Sequence, residues 1–548
     1  MVTAKQLERI TRAKSNLEVD RAIFISRWKE IARQMLSSYG SWGKSADTQK
    51  NLDDTASNFD NTANQASNLM ADGLMGSCFG RNIAWFSLLF EKDDWNKDKS
   101  AAEWLYNQER IVYRQFDRSN FYDEARSFVR LGADFGTATM FMQEHPEEGK
   151  PFFRTLHPKD VVLMENRFGV VDTMIRDIYL TKDDAIKEFG EKKLPETIRA
   201  NEDYTKKFIF HQYIGPNYRF ELNVKGTDEY ISIYWSDEDA TKTLKEERFP
   251  RKPFVAWRWN RDLEGCVYGT QSPGLMQISN MKSVNNLTEN VQKQSQLIVE
   301  PPIKATEGLV VNFRPRGLNS LKNGEDFAPV NITGDLTFTE NERNYIRQSI
   351  RQAYYSDFFL LLSQNLDKTK TATEVAGIMN EQSNVMSSFF NRLATEFLEP
   401  VIEFVFENEM SQGRLDAVPE NSTFSGEEIK VDFVSPMFLI QKRSHTVDGI
   451  VQAAAQILQF VQVKPEIADK LRFDNIADVI ADGWNVKKVL IEEDHKVAEI
   501  REKRAQIQAA MADQQMQNET GKAQAQIYDQ LGKAPESGSA MAQEEQSA

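Results

Sequence analysis

The side chains with most capacity for chemistry in this sequence are scattered. The histidines stand singly at His145, His157, His211, His445 and His495. A zinc site or a nucleophilic triad needs such groups to converge with partners at characteristic spacings, and none of the five has them nearby in sequence, so they read as structural. Gly43-Lys44-Ser45 ends as a phosphate-binding loop ends, but Ser38 stands where that loop needs its first glycine. No G-x-G-x-x-G opens a helix, and neither H-E-x-x-H nor G-x-S-x-G occurs. The carboxylate runs Asp53/Asp54, Asp93/Asp94, Asp183/Asp184 and Glu492/Glu493/Asp494 belong to a chain with 82 acidic residues and read as solvated faces, not as a hydrolytic or two-metal site. The sequence therefore predicts no catalytic residue, no metal and no cofactor.

Positive charge is patterned in three places. Arg343, Arg347 and Arg351 recur every four residues, which puts them on one helical face. A Gly/Pro-punctuated insert carries Lys304, Arg314, Arg316 and Lys322, and a Thr-rich polar loop carries Lys368 and Lys370 beside Asp367. Such groups suit contact with phosphates. For the arginine row the alternative is a solvated face paired with Glu340 and Glu342. With 67 basic residues against 82 acidic, the net charge of −15 argues against non-specific clamping of nucleic acid, and any contact should be local and loose. The aromatic pairs Trp85-Phe86, Trp257/Trp259 and Phe389-Phe390 read as packing.

The elements that must position these groups can be read from periodicity. At 548 residues, with 40% hydrophobic and 27% charged residues, the chain is long enough for about three to four units and rich enough to build real cores. Two cysteines, Cys78 and Cys266, make no disulfide framework and fit a reducing compartment. The N-terminus has no secretory apolar core, and no run reaches the roughly 18 apolar residues of a membrane span, so a soluble chain is expected.

Apolar residues at three- and four-residue steps predict helices over Ala4–Leu36, Asn61–Met75 and Ala101–Phe116. From Pro151 to Tyr234, and again in the run FVAWRWNR, β-branched and aromatic residues predict strands. Leu275 to Glu300 predicts a helix of about 37 Å, with Ile278, Met281, Val284, Leu287, Val291, Leu297 and Ile298 at helical spacing and Pro301-Pro302 as the stop. After the insert a return helix is expected from Glu340 to Leu362. A further long helix is expected from Thr373 to Gln412, with a kink at Pro400. Helices over His445–Phe460, Pro465–Gly483 and Val486–Asn518 precede a Gln-, Ala- and Ser-rich tail that reads as fraying to disorder.

Several ordered segments resemble the portal, or head-to-tail connector, proteins of short-tailed bacteriophages. Phe59-Asp60-Asn61-Thr62 leads into a helix and the Trp85-Phe86 pair; Ser119-Asn120-Phe121-Tyr122 precedes Gly132, Gly136, Thr137 and Ala138. His157-Pro158-Lys159-Asp160, Val267-Tyr268-Gly269, Pro301-Pro302 and Thr371-Ala372-Thr373-Glu374-Val375 follow in order. The similarity covers roughly residues 20–450 and rests on the ordered set.

The resemblance implies an α+β, mainly helical, portal-like subunit. Its expected parts are a β-containing wing (1–274), a two-helix stem (275–301 and 338–362), a small clip (302–337) and a tunnel loop (363–374). A wing or channel helix with a return strand (375–440), a helical crown (441–500) and a C-terminal helix and tail (501–548) complete it. It further implies a non-enzymatic ring of about twelve copies at one capsid vertex of the virion, assembled in the bacterial cytoplasm, that conducts double-stranded DNA during packaging and ejection. The expected partners are a terminase, the major capsid protein, a scaffolding protein and a tail adaptor, with no membrane. On this reading Lys368, Lys370, Arg343, Arg347 and Arg351 face the DNA channel, and Lys304, Arg314, Arg316 and Lys322 meet the motor or adaptor. Leu287 and Val291 pack between subunits. The competing expectation is a helical scaffold that binds proteins without closing a ring.

Overall fold

The computed structural model describes residues 2–35, 58–92, 95–96, 99–222, 229–261, 266–307, 324, 327–329, 336–364, 386–416, 429–435 and 494–531, with isolated positions between 438 and 476. The first element, α1 (Ala4–Gln34), starts at a capping box in which the Thr3 hydroxyl and the Gln6 side chain each accept from the other's backbone. Its apolar stripe serves two bodies. Leu7 and Ile10 pack with Val162, Ile175, Tyr213, Ile233 and Trp235, whereas Trp28 and Ile31 enter the main core. Between them Lys14 lies 3.3 Å from Asp177, and Arg21 donates to the carbonyl of Pro158.

Helices α2 (Thr62–Cys78), α3 (Lys99–Arg118) and α4 (Phe121–Phe135) form the bulk of the main core with strand β1 (Phe86–Phe90). Trp85 and Phe86 sit fully buried against Tyr113, Phe116 and Phe121, so this pair is packing. At Gly132 an added Cβ would fall 2.1 Å from the Trp257 indole, a close approach that only glycine permits.

Two antiparallel sheets follow. Strand β2 (Thr137–Glu144) lies between β3 (Pro151–Leu156) and, from later in the chain, β9 (Phe254–Arg258). The larger sheet is a meander in the order β4 (Val161–Glu165), β5 (Val171–Thr181), β6 (Lys207–Pro216), β7 (Tyr230–Ser236), β8 (Thr243–Phe249). Helix α5 (Lys182–Phe189) covers one part of it, burying Ala185 and Phe189 on Phe210 and Tyr234. These two sheets thus begin at Thr137, earlier than the sequence pattern suggests, and β1 at Phe86–Phe90 lies earlier still. Six successive β2 residues are buried, so this central strand lacks the alternation that marks a half-exposed one.

A single turn at Pro273–Met276, capped by the Ser272 hydroxyl, precedes the long helix α6 (Ile278–Val299). Strands β10 (Ile303–Ala305) and β11 (Phe327–Pro329) pair antiparallel, and α7 (Leu336–Ala353) returns along α6. The return helix expected over 340–362 is broken. It stops at Ala353, Tyr355 adopts a left-handed φ of 53°, and α8 (Ser356–Gln364) leaves in a new direction to pack on α2.

Of the helix expected over 373–412, the described part is α9 (Ser387–Leu393), a π-helical turn over Ala394–Leu398, and α10 (Glu399–Ser411). Pro400 explains the π turn: it has no N–H to give and crowds the carbonyl four residues earlier, and a widened turn absorbs both. Strand β12 (Ile429–Phe433) pairs with β1 across more than three hundred residues. The last described element is α11 (Asp494–Leu531); the helices expected over 445–460 and 465–483 lie outside the described residues.

Candidate functional site

The antiparallel pair α6–α7 is buried at one end and open at the other. At its root Met281, Val284 and Thr288 on α6 and Ile346 and Ile350 on α7 are buried, and Asn280 reaches the Ser349 hydroxyl at 3.4 Å. Toward the tip the burial lapses. Leu297 is 41%, Ile298 48% and Val299 79% exposed, and Ile303 just beyond is 41% exposed. On α7, Phe338 near the tip is 71% exposed, and Tyr345, equally exposed, lies beside Ile346 at the root. A helix that spends this many large apolar side chains on solvent has an unfilled surface, because burying each is worth about 1.5–3 kcal/mol.

The root is held by polar groups as well as packing. The Asn285 side-chain carbonyl accepts from the backbone N–H of Phe59 at 2.6 Å and of Asp60 at 3.2 Å. The Asp60 carboxylate accepts at Oδ1 from the Thr62 N–H in a turn just ahead of α2, and at Oδ2 from Arg347 Nε at 2.8 Å and Nη2 at 2.6 Å. Burial pushes this carboxyl upward, but the hydrogen bonds from Thr62 and Arg347 outweigh it and hold it below the usual carboxylate range. One helical stretch further on, Asp134 is fully buried. It accepts from the Tyr354 hydroxyl at 2.8 Å and from the Ser67 hydroxyl at 2.9 Å, with Arg130 3.8 Å away.

These contacts reassign part of the arginine row. Arg347 is committed to Asp60, and Arg343, its side chain 16% exposed, bonds Glu340 at 3.1 Å, which is the pairing the sequence offered as its alternative. Arg351 is exposed at the end of α7. Lys304 is exposed on β10, while Arg314, Arg316, Lys322, Lys368 and Lys370 lie outside the described residues. Leu287 is half-buried and packs on the main core of its own chain, and Val291 is half-buried one turn nearer the tip. Sequence reasoning did not single out Asp60, Asp134, Asn285 or Tyr354. An acid two residues before Thr62 at a helix start, and another inside the apolar run of α4, were the available signals.

Other polar clusters are structural. His211 lies between Asp177 at 2.8 Å and Asp237 at 3.1 Å and joins α1 to the large sheet through Lys14. Arg258, 4% exposed, bridges Glu396 on the π turn at 2.7 Å and Glu165 at 3.2 Å. Among the described residues no group of His, Cys, Asp and Glu is arranged to hold a metal ion, and no helix is long and apolar enough to cross a membrane.

The helix pair is rooted in the main core and leaves Leu297, Ile298 and Val299 exposed at its far end. The sequence model of the family described as bacteriophage head to tail connecting protein matches residues 7–491, and the chain belongs to that family. It is 27% identical over 529 residues to the portal protein of Salmonella phage epsilon15, covering 92% of each chain. It is 24% identical over 523 residues to the probable portal protein of Bordetella phage BPP-1, covering 90% of each. Among solved structures, a chain from a virion of a native gene transfer agent particle aligns with 78% of this chain and 91% of its own at 11% identity and a TM-score of 0.31.

Proposed function

We propose that this protein is the structural portal of a phage: copies close into a ring, twelve in number, at one vertex of the capsid, and double-stranded DNA passes through it during packaging and ejection. Membership of the head to tail connecting family and the full-length similarity to the two portal relatives support this reading. The observation that carries it is the exposed end of α6, where Leu297, Ile298 and Val299 offer an apolar surface that a neighbouring copy would cover in a head-to-tail, heterologous contact. In this reading α6 and α7 are the stem and the excursion between them is the clip that meets the terminase and later the tail adaptor. Lys368 and Lys370 line the channel, Arg351 is the arginine of the row best placed to join them, and a scaffolding protein and the major capsid protein surround the wing.

The role is conduction, not catalysis; the motor supplies the energy. Twelve copies at −15 each carry −180, a body that repels the DNA it passes. That suits a conduit, since every added phosphate contact would tighten binding and brake movement. Native mass measurement with electron microscopy of the purified protein tests the proposal. Closed rings with a central hole wide enough for duplex DNA are expected; a monodisperse monomer, or open filaments, would sink it.

A further inference from the structure

The contacts that root α7 are spaced in a way that packing alone does not require. Arg347 and Tyr354 are seven residues apart and therefore lie on one face of the α7 stretch, about 10.5 Å apart along it. Their partners repeat the interval. Asp60 stands at the start of α2, and Ser67, seven residues on, meets Tyr354 through the buried Asp134 carboxylate of α4. Further along, off this interval, Gly73 of α2 lies against Phe359 of α8, where an added Cβ would meet the phenyl ring at 2.3 Å. Helices α2 and α7 thus run side by side in the same direction, with polar rungs at 60/347 and 67/354.

The rungs act as a register. Sliding α7 by one turn, about 5.4 Å, would leave two buried carboxylates without these donors, which is costly in an apolar interior. A purely apolar α2–α7 seam, with Ile346 and Ile350 on one side, would discriminate far less between neighbouring registers. The break after Ala353 belongs to the same device. Tyr355, with its left-handed φ of 53°, directly follows Tyr354, whose hydroxyl is held on Asp134, so the break and the second rung are neighbours in the chain.

We propose that Arg347 and Tyr354 are positioning residues that fix the angle of the α6–α7 pair on the body of the subunit and thereby set how many copies close the ring. This rests on the ring reading above. The sensitivity follows from closure: a turn of about 2° per subunit separates a ring of twelve from one of thirteen. A small play at the root is therefore enough to mix copy numbers, while the fold and the tip surface stay intact.

The test is native mass measurement of rings assembled from the double variant Arg347→Met, Tyr354→Phe, which keeps volume and removes both donors. The wild type and the charge-retaining Arg347→Lys are measured alongside. The wild type and Arg347→Lys are expected to give one copy number, and the double variant a spread over at least two adjacent numbers with unchanged circular dichroism. A double variant that closes rings of the single wild-type number would overturn this inference and leave the portal reading standing. A wild type that closes no ring would overturn both. Should the double variant not fold, Tyr354→Phe alone, which removes one hydroxyl, is read in the same way.

Discussion

The bare end of the α6–α7 pair gives the sharpest expectation. Replacing Leu297, Ile298 and Val299 together with serine removes three side chains that are 41%, 48% and 79% exposed; the buried parts of Leu297 and Ile298 belong to the subunit, so its stability is read separately in a denaturant titration. If a neighbour covers what is exposed, each contributes about half or more of a full burial. At about 25 cal/mol per Å², the three together amount to about 3–4 kcal/mol at each subunit contact. With 1.4 kcal/mol per factor of ten, the association constant of each contact should fall by two to three orders of magnitude. Sedimentation velocity over a concentration series reads this directly. The triple variant should stay monomeric at concentrations where the wild type is fully assembled, and its far-ultraviolet circular dichroism should match. Rings at the wild-type concentration would refute the argument, because the apolar end would then be idle. The contrasting substitution is Met281→Ala at the 2% exposed root, which should cost the subunit about 2–5 kcal/mol and lower its melting temperature in any assembly state.

Charged replacement of Leu287 and Val291 should block assembly, and because Leu287 packs on its own chain's core, the Leu287 change should also lower subunit stability in a denaturant titration. Replacing Lys368 and Lys370 with alanine should leave copy number unchanged and alter DNA retention in packaged particles; lost assembly would make the loop structural. The Asp60 carboxyl is held low in the folded state. Its contribution is therefore present above its unfolded value and lost as pH falls through the lower folded value, so Asp60→Asn should flatten the acid limb of the stability curve. Burial pushes the Cys78 thiol up to about 12, so a thiol reagent should label the part-exposed Cys266 first; equal labelling would mean the core opens at Cys78.

Local order was legible where one stripe repeats over many residues. The starts of α1, α2 and α3 fall within two residues of the positions that apolar spacing predicts, and α6 follows its own pattern to the Pro301-Pro302 stop. Pro400 announced a disturbance, but its form, a π turn that also delivers Glu396 to Arg258, needed the strand it faces. Strand β2 was missed because full burial erases alternation. The break at Tyr354 was missed because QAYYSDFF carries neither glycine nor proline.

The candidate site divides along the same line. Charge balance, the absence of catalytic motifs, the two-helix excursion and the family resemblance are properties of the sequence, since they depend on composition and on neighbours a few positions apart. Only the tertiary structure decided that Arg347 belongs to Asp60, 287 residues away, and that Tyr354 and Ser67 share Asp134. Helical spacing tells which side chains lie on a face but not what that face meets. For Arg347 the meeting partner is a buried carboxylate at the start of α2, which no spacing within the α7 sequence announces.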